Sequence, residues 1–213
     1  MIALAADPID RIVAGNLLFA QKTSEANPNA FTDLTKGQWP EILWIGCADS
    51  RIPETTVCDC RPGDIFVHRN IANCVHPDDV SAASVVEYAV THLKVKKVVV
   101  CGHTKCGGAA ASLSDADLGL TLNTWLHPVR ELRRKHTAEL EKMLDDDARA
   151  VRVAELNVQQ SIDVLKQHPA VKKAVVERGL TVHGMIFDLG KGQLRVLDEA
   201  GGKKGNGLWS PRN

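Results

Sequence analysis

Apolar residues recur along this chain with two different periods. From residue 8 to 22, Ile9, Ile12, Val13, Leu17 and Leu18 follow the three- and four-residue spacing of a helix with one broad apolar face. Asp7 precedes that run as a capping residue, and Pro8 suits only the first turn. The stretch TSEANPNAFTDLTKGQWP loses the period and reads as loop with short helical turns at most. Three short, nearly unbroken apolar runs follow, at 41–47, 64–68 and 97–101, as expected of strands buried on both faces. Residues 80–93 between the second and third run return to a helical pattern. The small-residue segment GGAAASL after Cys106 opens another helix. Residues 121–146 and 148–178 are helical by periodicity, with a break near LDDDAR. Residues 181–189 and 193–197 read as a hairpin around GKG.

Strands that alternate with helices imply right-handed crossovers and a mostly parallel central β-sheet flanked by helices. The expected class is therefore α/β and Rossmann-like, preceded by an N-terminal helix, which the family resemblance drawn below implies is an arm. We expect one domain over residues 1–213: an arm at 1–35, an α/β core at 36–200, and a tail at 201–213. The tail, GGKKGNGLWSPRN, is expected to be loose or to lie over a neighbouring subunit. In parallel sheets, ligands gather beyond the carboxyl ends of the strands. Cys47 falls at one such end, and His103 and Cys106 fall just past another.

Charge narrows the partners. Lys plus Arg number 26 and Asp plus Glu number 26, so the chain shows no basic footprint for nucleic acid and no polybasic membrane patch. No apolar run approaches the roughly 18 residues of a membrane span. Early acids at Asp7 and Asp10 do not fit a secretory signal. Six cysteines without such a signal suit a reducing compartment, where thiols are buried, metal-bound or catalytic. A cytoplasmic location follows as the expectation, with a mitochondrial one left open. The substrate is expected to be a small molecule, or else the partner is another protein.

CADSR at 47–51 sets a thiol, a carboxylate and a guanidinium directly after a buried strand. HTKC at 103–106 adds an imidazole and a second thiol on a tight turn. Two thiolates and one imidazole suit a borderline-soft divalent ion, zinc above all, and leave a fourth tetrahedral position open. His-x-x-Cys taken alone arises often by chance; the shared rim with Cys47, Asp49 and Arg51 gives it weight. Asp49 has two available jobs. It can bind the metal and close the site, or pair with Arg51 and stay beside it. Gly107 and Gly108 after Cys106 permit close backbone approach and can turn N–H groups toward a thiolate or an anion. Cys58 and Cys60 form a C-x-C without a second pair to complete a site and read as free thiols. Cys74 and Cys101 read as core. The run RELRRKHTAELEKMLDDD reads as a solvated helix face.

CADSR, followed by RPGDIFVHRNIAN, EYAV and VVVCGHTKCGG, strongly resembles the β-class carbonic anhydrases, and the fungal branch in particular. The likeness runs from about Gln38 to Leu113, with a weaker stretch through TVHGMIFDLGKGQL. It implies that Cys47, His103 and Cys106 hold one zinc per subunit, with Asp49 and Arg51 as the catalytic dyad. The implied reaction is reversible hydration of carbon dioxide to bicarbonate and a proton, by a zinc-bound hydroxide that Asp49 orients. Gln38, Phe66, Ile71, Tyr88 and Gly107 match family positions along the substrate approach, some given by a neighbouring subunit. Trp44 and Arg69 match two members of an inhibitory bicarbonate pocket in some relatives. The third falls at Phe187, which lacks the hydroxyl, so the pocket departs from the pattern there. The resemblance also implies a homodimer or a tetramer built as a dimer of dimers, the arm of residues 8–22 embracing the partner. Two other readings stay open: hydrolysis of carbon disulfide or carbonyl sulfide at the same zinc, and a non-catalytic zinc-stabilised module with Asp49 as fourth ligand. A dinucleotide site is disfavoured, since no G-x-G-x-x-G follows the first strand.

Overall fold

The computed structural model describes residues 7–197, so the expectation for the tail at 201–213 lies outside the described residues. The chain divides into two compact units, Met1–Gln38 and Trp39–Asn213.

The first unit holds α1 (Pro8–Ala26) and α2 (Ala30–Leu34). The Asp7 carboxylate accepts the Ile9 N–H at 2.6 Å, which meets one of the unpaired amides at the helix start. The helix runs past residue 22 to Ala26, so the polar TSEA continues it rather than ending it. Phe19 and Phe31 meet edge to face, 6.1 Å between centroids. The apolar stripe stands open: Ile9 and Leu17 are each 66% exposed, and α1 has no buried residue.

The second unit is built on five strands: β1 (Ile42–Cys47), β2 (Ile65–Asn70), β3 (Lys97–His103), β4 (Thr181–Asp188) and β5 (Gln193–Leu197). Their order is β2-β1-β3-β4-β5. The first four are parallel, and β5 returns antiparallel to β4. Leu43, Trp44 and Ile45 on β1 and Val98, Val99 and Val100 on β3 are all buried, as unbroken apolar central strands should be. Several strand ends differ from expectation by one or two residues, as β1 begins at 42 and β4 ends at 188. β2 occupies 65–70 rather than 64–68, and β3 extends through His103, which is thus the last residue of the strand and not beyond it.

The helices of this unit are α3 (Glu54–Val57), α4 (Val80–Glu87), α5 (Gly107–Ala111), α6 (Leu120–Lys135), α7 (Thr137–Leu140), α8 (Asp146–Gln167) and α9 (Pro169–Arg178). Asp79 caps α4, accepting the Ser81 N–H at 2.9 Å. α4 continues into a wider π turn, Tyr88–His92, closed by the Leu93 N–H on Tyr88 O at 3.1 Å. The single helix expected over 148–178 is two. Pro169 forces His168 into extended backbone, ψ 128°, and opens α9. Asp145 caps α8, accepting the Ala148 N–H at 2.7 Å. The turn between α7 and α8 leaves Leu144 98% exposed. α8 packs against β3, β4 and α5 and so backs the rim where those elements end. The charge run is less solvated than its composition suggests. Arg130 is buried and donates to Ala116 O at 2.7 Å, and Arg133 donates to Leu113 O at 2.8 Å and forks onto Asp115. These arginines fasten the loop before α6.

Candidate metal centre

Cys47 closes β1 and His103 closes its parallel neighbour β3, so both leave the same rim of the sheet. The chain then turns through Thr104 and Lys105 to Cys106. Lys105 takes a left-handed φ of 58° to make that turn. Thr104 is pinned to the end of β4. Its N–H donates to Phe187 O at 2.9 Å, and its Oγ1 accepts the Leu189 N–H at 2.9 Å. The Thr104 carbonyl lies 2.9 Å from His103 Nδ1. Nδ1 therefore carries the proton, and Nε2 keeps a lone pair. That Nε2 is buried and has no hydrogen-bond partner. The donor atoms of Cys47, His103 and Cys106 lie within 4.8 Å of one another, all three residues buried.

A sealed lone pair without a partner is unfavourable, and a cation satisfies it. The thiols lead to the same conclusion. A hydrogen bond from Cys106, more than offsetting burial, pulls the Cys47 thiol down to about 4. Cys106, facing that charge, is pushed far above the ordinary thiol range. A divalent ion between the two sulfurs lets both ionise. The donor set fits zinc, with three protein ligands and room for a fourth.

Asp49 stands half-buried beside the trio, its Oδ2 3.9 Å from His103 Nε2. Arg51 grips it as a fork: Nε donates to Oδ1 at 2.9 Å and Nη2 to Oδ2 at 2.7 Å. The Arg51 N–H also donates to Oδ1 at 2.9 Å, and Nη2 reaches Lys105 O at 3.1 Å. These bonds hold the Asp49 carboxyl well below the usual carboxylate range. Asp49 is not a member of the donor cluster.

Arg69 is occupied. Its Nε donates to Cys47 O at 2.8 Å and its Nη2 to Asp49 O at 2.5 Å, while buried Glu54 stands 3.8 Å away. It thereby ties down the backbone of the CADSR turn. Trp44 is a buried core residue of β1; a Cβ added at Gly46 would fall 2.6 Å from its Nε1.

Beyond β2 the chain makes a bend that the sequence does not announce. Ala72 and Asn73 are consecutive non-glycine residues with φ 62° and 48°, each at a cost of about 1–3 kcal/mol. The Asn70 side chain clasps Cys74, accepting its N–H and donating to its carbonyl, both at 2.8 Å.

The remaining candidates distribute as follows. Phe66 stacks on Tyr88, 5.8 Å between centroids, and Tyr88 is 48% exposed. Ile71 is exposed, and its carbonyl accepts the Trp125 Nε1–H at 2.9 Å. A Cβ added at Gly108 would lie 3.3 Å from Ile71 Cγ2, so Ile71 sits at the start of α5, next to Cys106. Gly107 has open space around it. Gln38 is exposed at the end of the first unit. Cys58 and Cys60 are half-buried free thiols, and Cys74 and Cys101 are buried. Among the described residues the trio is the one donor cluster of its kind. Glu54, Asn70, Asn157 and Ser161 escaped the reading of the sequence because no motif marks them.

The family model described as carbonic anhydrase matches residues 42–194. A carbonic anhydrase of Emericella nidulans is 44% identical over 190 residues, covering 89% of this chain and 83% of that protein. A solved structure of tetrameric β-carbonic anhydrases from Sordaria macrospora superposes with TM-score 0.87 at 49% identity, over 89% of this chain and 96% of that one. One of a β-carbonic anhydrase from Aspergillus fumigatus gives TM-score 0.88 at 52% identity, over 91% and 92%. With a donor trio on the sheet rim, a match through most of the chain and relatives this similar, the protein belongs to the carbonic anhydrase family, as a β-class member of its fungal branch.

Proposed function

We propose that the chain hydrates carbon dioxide reversibly to bicarbonate and a proton, using one zinc held by Cys47, His103 and Cys106. The observation that carries this reading is the buried, unpartnered Nε2 of His103 set among two sulfurs, with the Asp49 carboxylate 3.9 Å away. When bound, zinc acidifies a coordinated water from about 15.7 toward 7 and so supplies a nucleophile at neutral pH. Asp49, kept ionised and fixed by the Arg51 fork, accepts a hydrogen bond from the attacking oxygen and turns its lone pair toward carbon. The proton released in hydration would pass to buffer. The half-exposed Ile71 and the Phe66–Tyr88 stack offer apolar surface suited to an uncharged gas. Both Asp49 oxygens are engaged by Arg51, which favours the dyad over a closed, non-catalytic site. The open apolar stripe of α1 supports a homo-oligomer, a dimer or a dimer of dimers. Six unpaired thiols, two of them adjacent ligands, favour the reducing cytoplasm.

Metal analysis and stopped-flow hydration test the reading. The expected results are one zinc per chain, hydration activity that chelation removes and zinc restores, and a loss of about 10²–10⁴-fold in kcat for Asp49→Ala with zinc retained. A zinc-loaded wild type inactive toward carbon dioxide at alkaline pH would sink it. Turnover of carbon disulfide without carbon dioxide would move the chain to the other substrate.

A further inference from the structure

Glu54 opens α3 and carries a buried side chain that the chemistry above leaves unused. Its Oε2 is sealed from solvent and has no hydrogen-bond partner among the described residues. A carboxylate taken out of water needs a compensating group. That group is Arg69, whose Nε stands 3.8 Å from Oε2. Arg69 lies on β2, paired with Gly46 of β1, one residue before Cys47. Its hydrogen bonds go to neutral carbonyls: Nε donates to Cys47 O at 2.8 Å and Nη2 to Asp49 O at 2.5 Å. Those bonds leave the guanidinium charge for Glu54 to offset. The planar fork thus grips two carbonyls two residues apart, one in the donor trio and one in the dyad. Two backbone bonds add to this hold: the Ala48 N–H donates to Asn70 O at 2.8 Å and the Ile52 N–H to Asp49 O at 3.3 Å.

We propose that Glu54 is a positioning residue for the reaction: its carboxylate holds the Arg69 guanidinium in place, and Arg69 in turn fixes the Cys47 and Asp49 backbones relative to one another. The inference rests on the reading of Cys47 as a metal ligand and of Asp49 as the group that orients the attacking oxygen. Rotation of the peptides between these two residues changes the spacing of sulfur and carboxylate. A misplacement of about 1 Å at a reacting centre can cost about 10²-fold in rate. Glu54 acts through Arg69 and takes no part in the chemistry itself.

The test compares the full-length wild type with Glu54→Gln, which keeps the shape and removes the charge. Hydrogen exchange by NMR on the zinc-free protein reads the clasp, and stopped-flow hydration by the zinc-loaded protein reads its consequence. In the wild type the Arg69 Nε–H exchanges slowly. In Glu54→Gln that proton and the amides of Ala48 and Ile52 exchange at least about tenfold faster, and kcat falls about 10–100-fold with KM and zinc content unchanged. Glu54→Asp, the milder variant, gives smaller changes of the same kind and stands in if Glu54→Gln does not fold. Arg69→Met lowers kcat as well, and adding Glu54→Gln to it lowers kcat no further, since the two side chains act as one unit. Val171→Ala, which opens a cavity at a fully buried position of α9, lowers the melting temperature and leaves the Arg69 Nε–H and kcat as in the wild type. Fast exchange of the Arg69 Nε–H in the wild type, unchanged exchange or kcat in the Glu54 variants, a further loss in the double variant, or an equal loss in Val171→Ala overturns the proposal. A wild type that takes up no zinc or does not hydrate carbon dioxide overturns the reading beneath it, and the proposal with it.

Discussion

At the scale of residues, the site depends on side chains whose geometry, not charge alone, does the task. Arg51 meets Asp49 with two parallel bonds and its backbone amide with a third. A lysine there keeps the charge but not the fork. Arg51→Lys should cost about 10–100-fold in kcat with zinc content unchanged, read by stopped flow and metal analysis. The grouping of Cys47, His103 and Cys106 and the pairing of Asp49 with Arg51 were legible because chemistry-bearing residues crowd into two short motifs, each at the end of an apolar run. Arg69 was legible as a residue but not in its contacts. Its bonds to the carbonyls of Cys47 and Asp49 span 22 and 20 positions, and no local pattern encodes them. Asn157 is further removed: 85 positions separate it from Ala72, and a lone asparagine in an amphipathic helix carries no signal of its partner.

At the scale of elements, two adjacent glycines behave differently. Gly107 opens α5 into free space, whereas Gly108 faces Ala72 so closely that a methyl would lie 2.9 Å from the Ala72 Cβ. Gly108→Ala should destabilise by about 1–3 kcal/mol, and Gly107→Ala by less than about 0.5 kcal/mol, in urea unfolding of the metal-free protein. Sequence reasoning expected close backbone approach at both glycines alike, because steric need depends on the far side of the contact. The strands were readable from their unbroken apolar runs, to within two residues at their ends. Helix breaks were readable where acids clustered, as at Asp145. Pro169 was passed over inside a continuing apolar period, though a proline pushes its predecessor out of helix. The π turn at Tyr88–His92 and the bend at Ala72–Asn73 have no compositional mark.

For the whole molecule, acid and assembly set the expected behaviour. Burial lowers the affinity of His76 for a proton; it does the same at His183, where Lys97 adds to the effect. Unfolded, both bind protons below about pH 6.5, which the folded state resists. Their contribution to stability is full above that value and declines as pH falls from it toward the lowered folded values. Thermal melts across pH 5 to 7.5 should show that decline, and His76→Gln and His183→Gln should each flatten it. Assembly is expected to draw on α1, whose apolar stripe stays open within its own unit. Ile12→Glu with Leu17→Glu should shift sedimentation of the protein toward smaller species, while circular dichroism keeps its α/β form.

The turn that holds Leu144 in solvent invites a nick, since exposed tips are where proteases cut. Severed there, the chain would yield one fragment with Cys47, His103 and Cys106 and another with the long helix that packs behind β3 and α5. Complementation of the two pieces would then separate the possession of a binding set from the ability to grip with it.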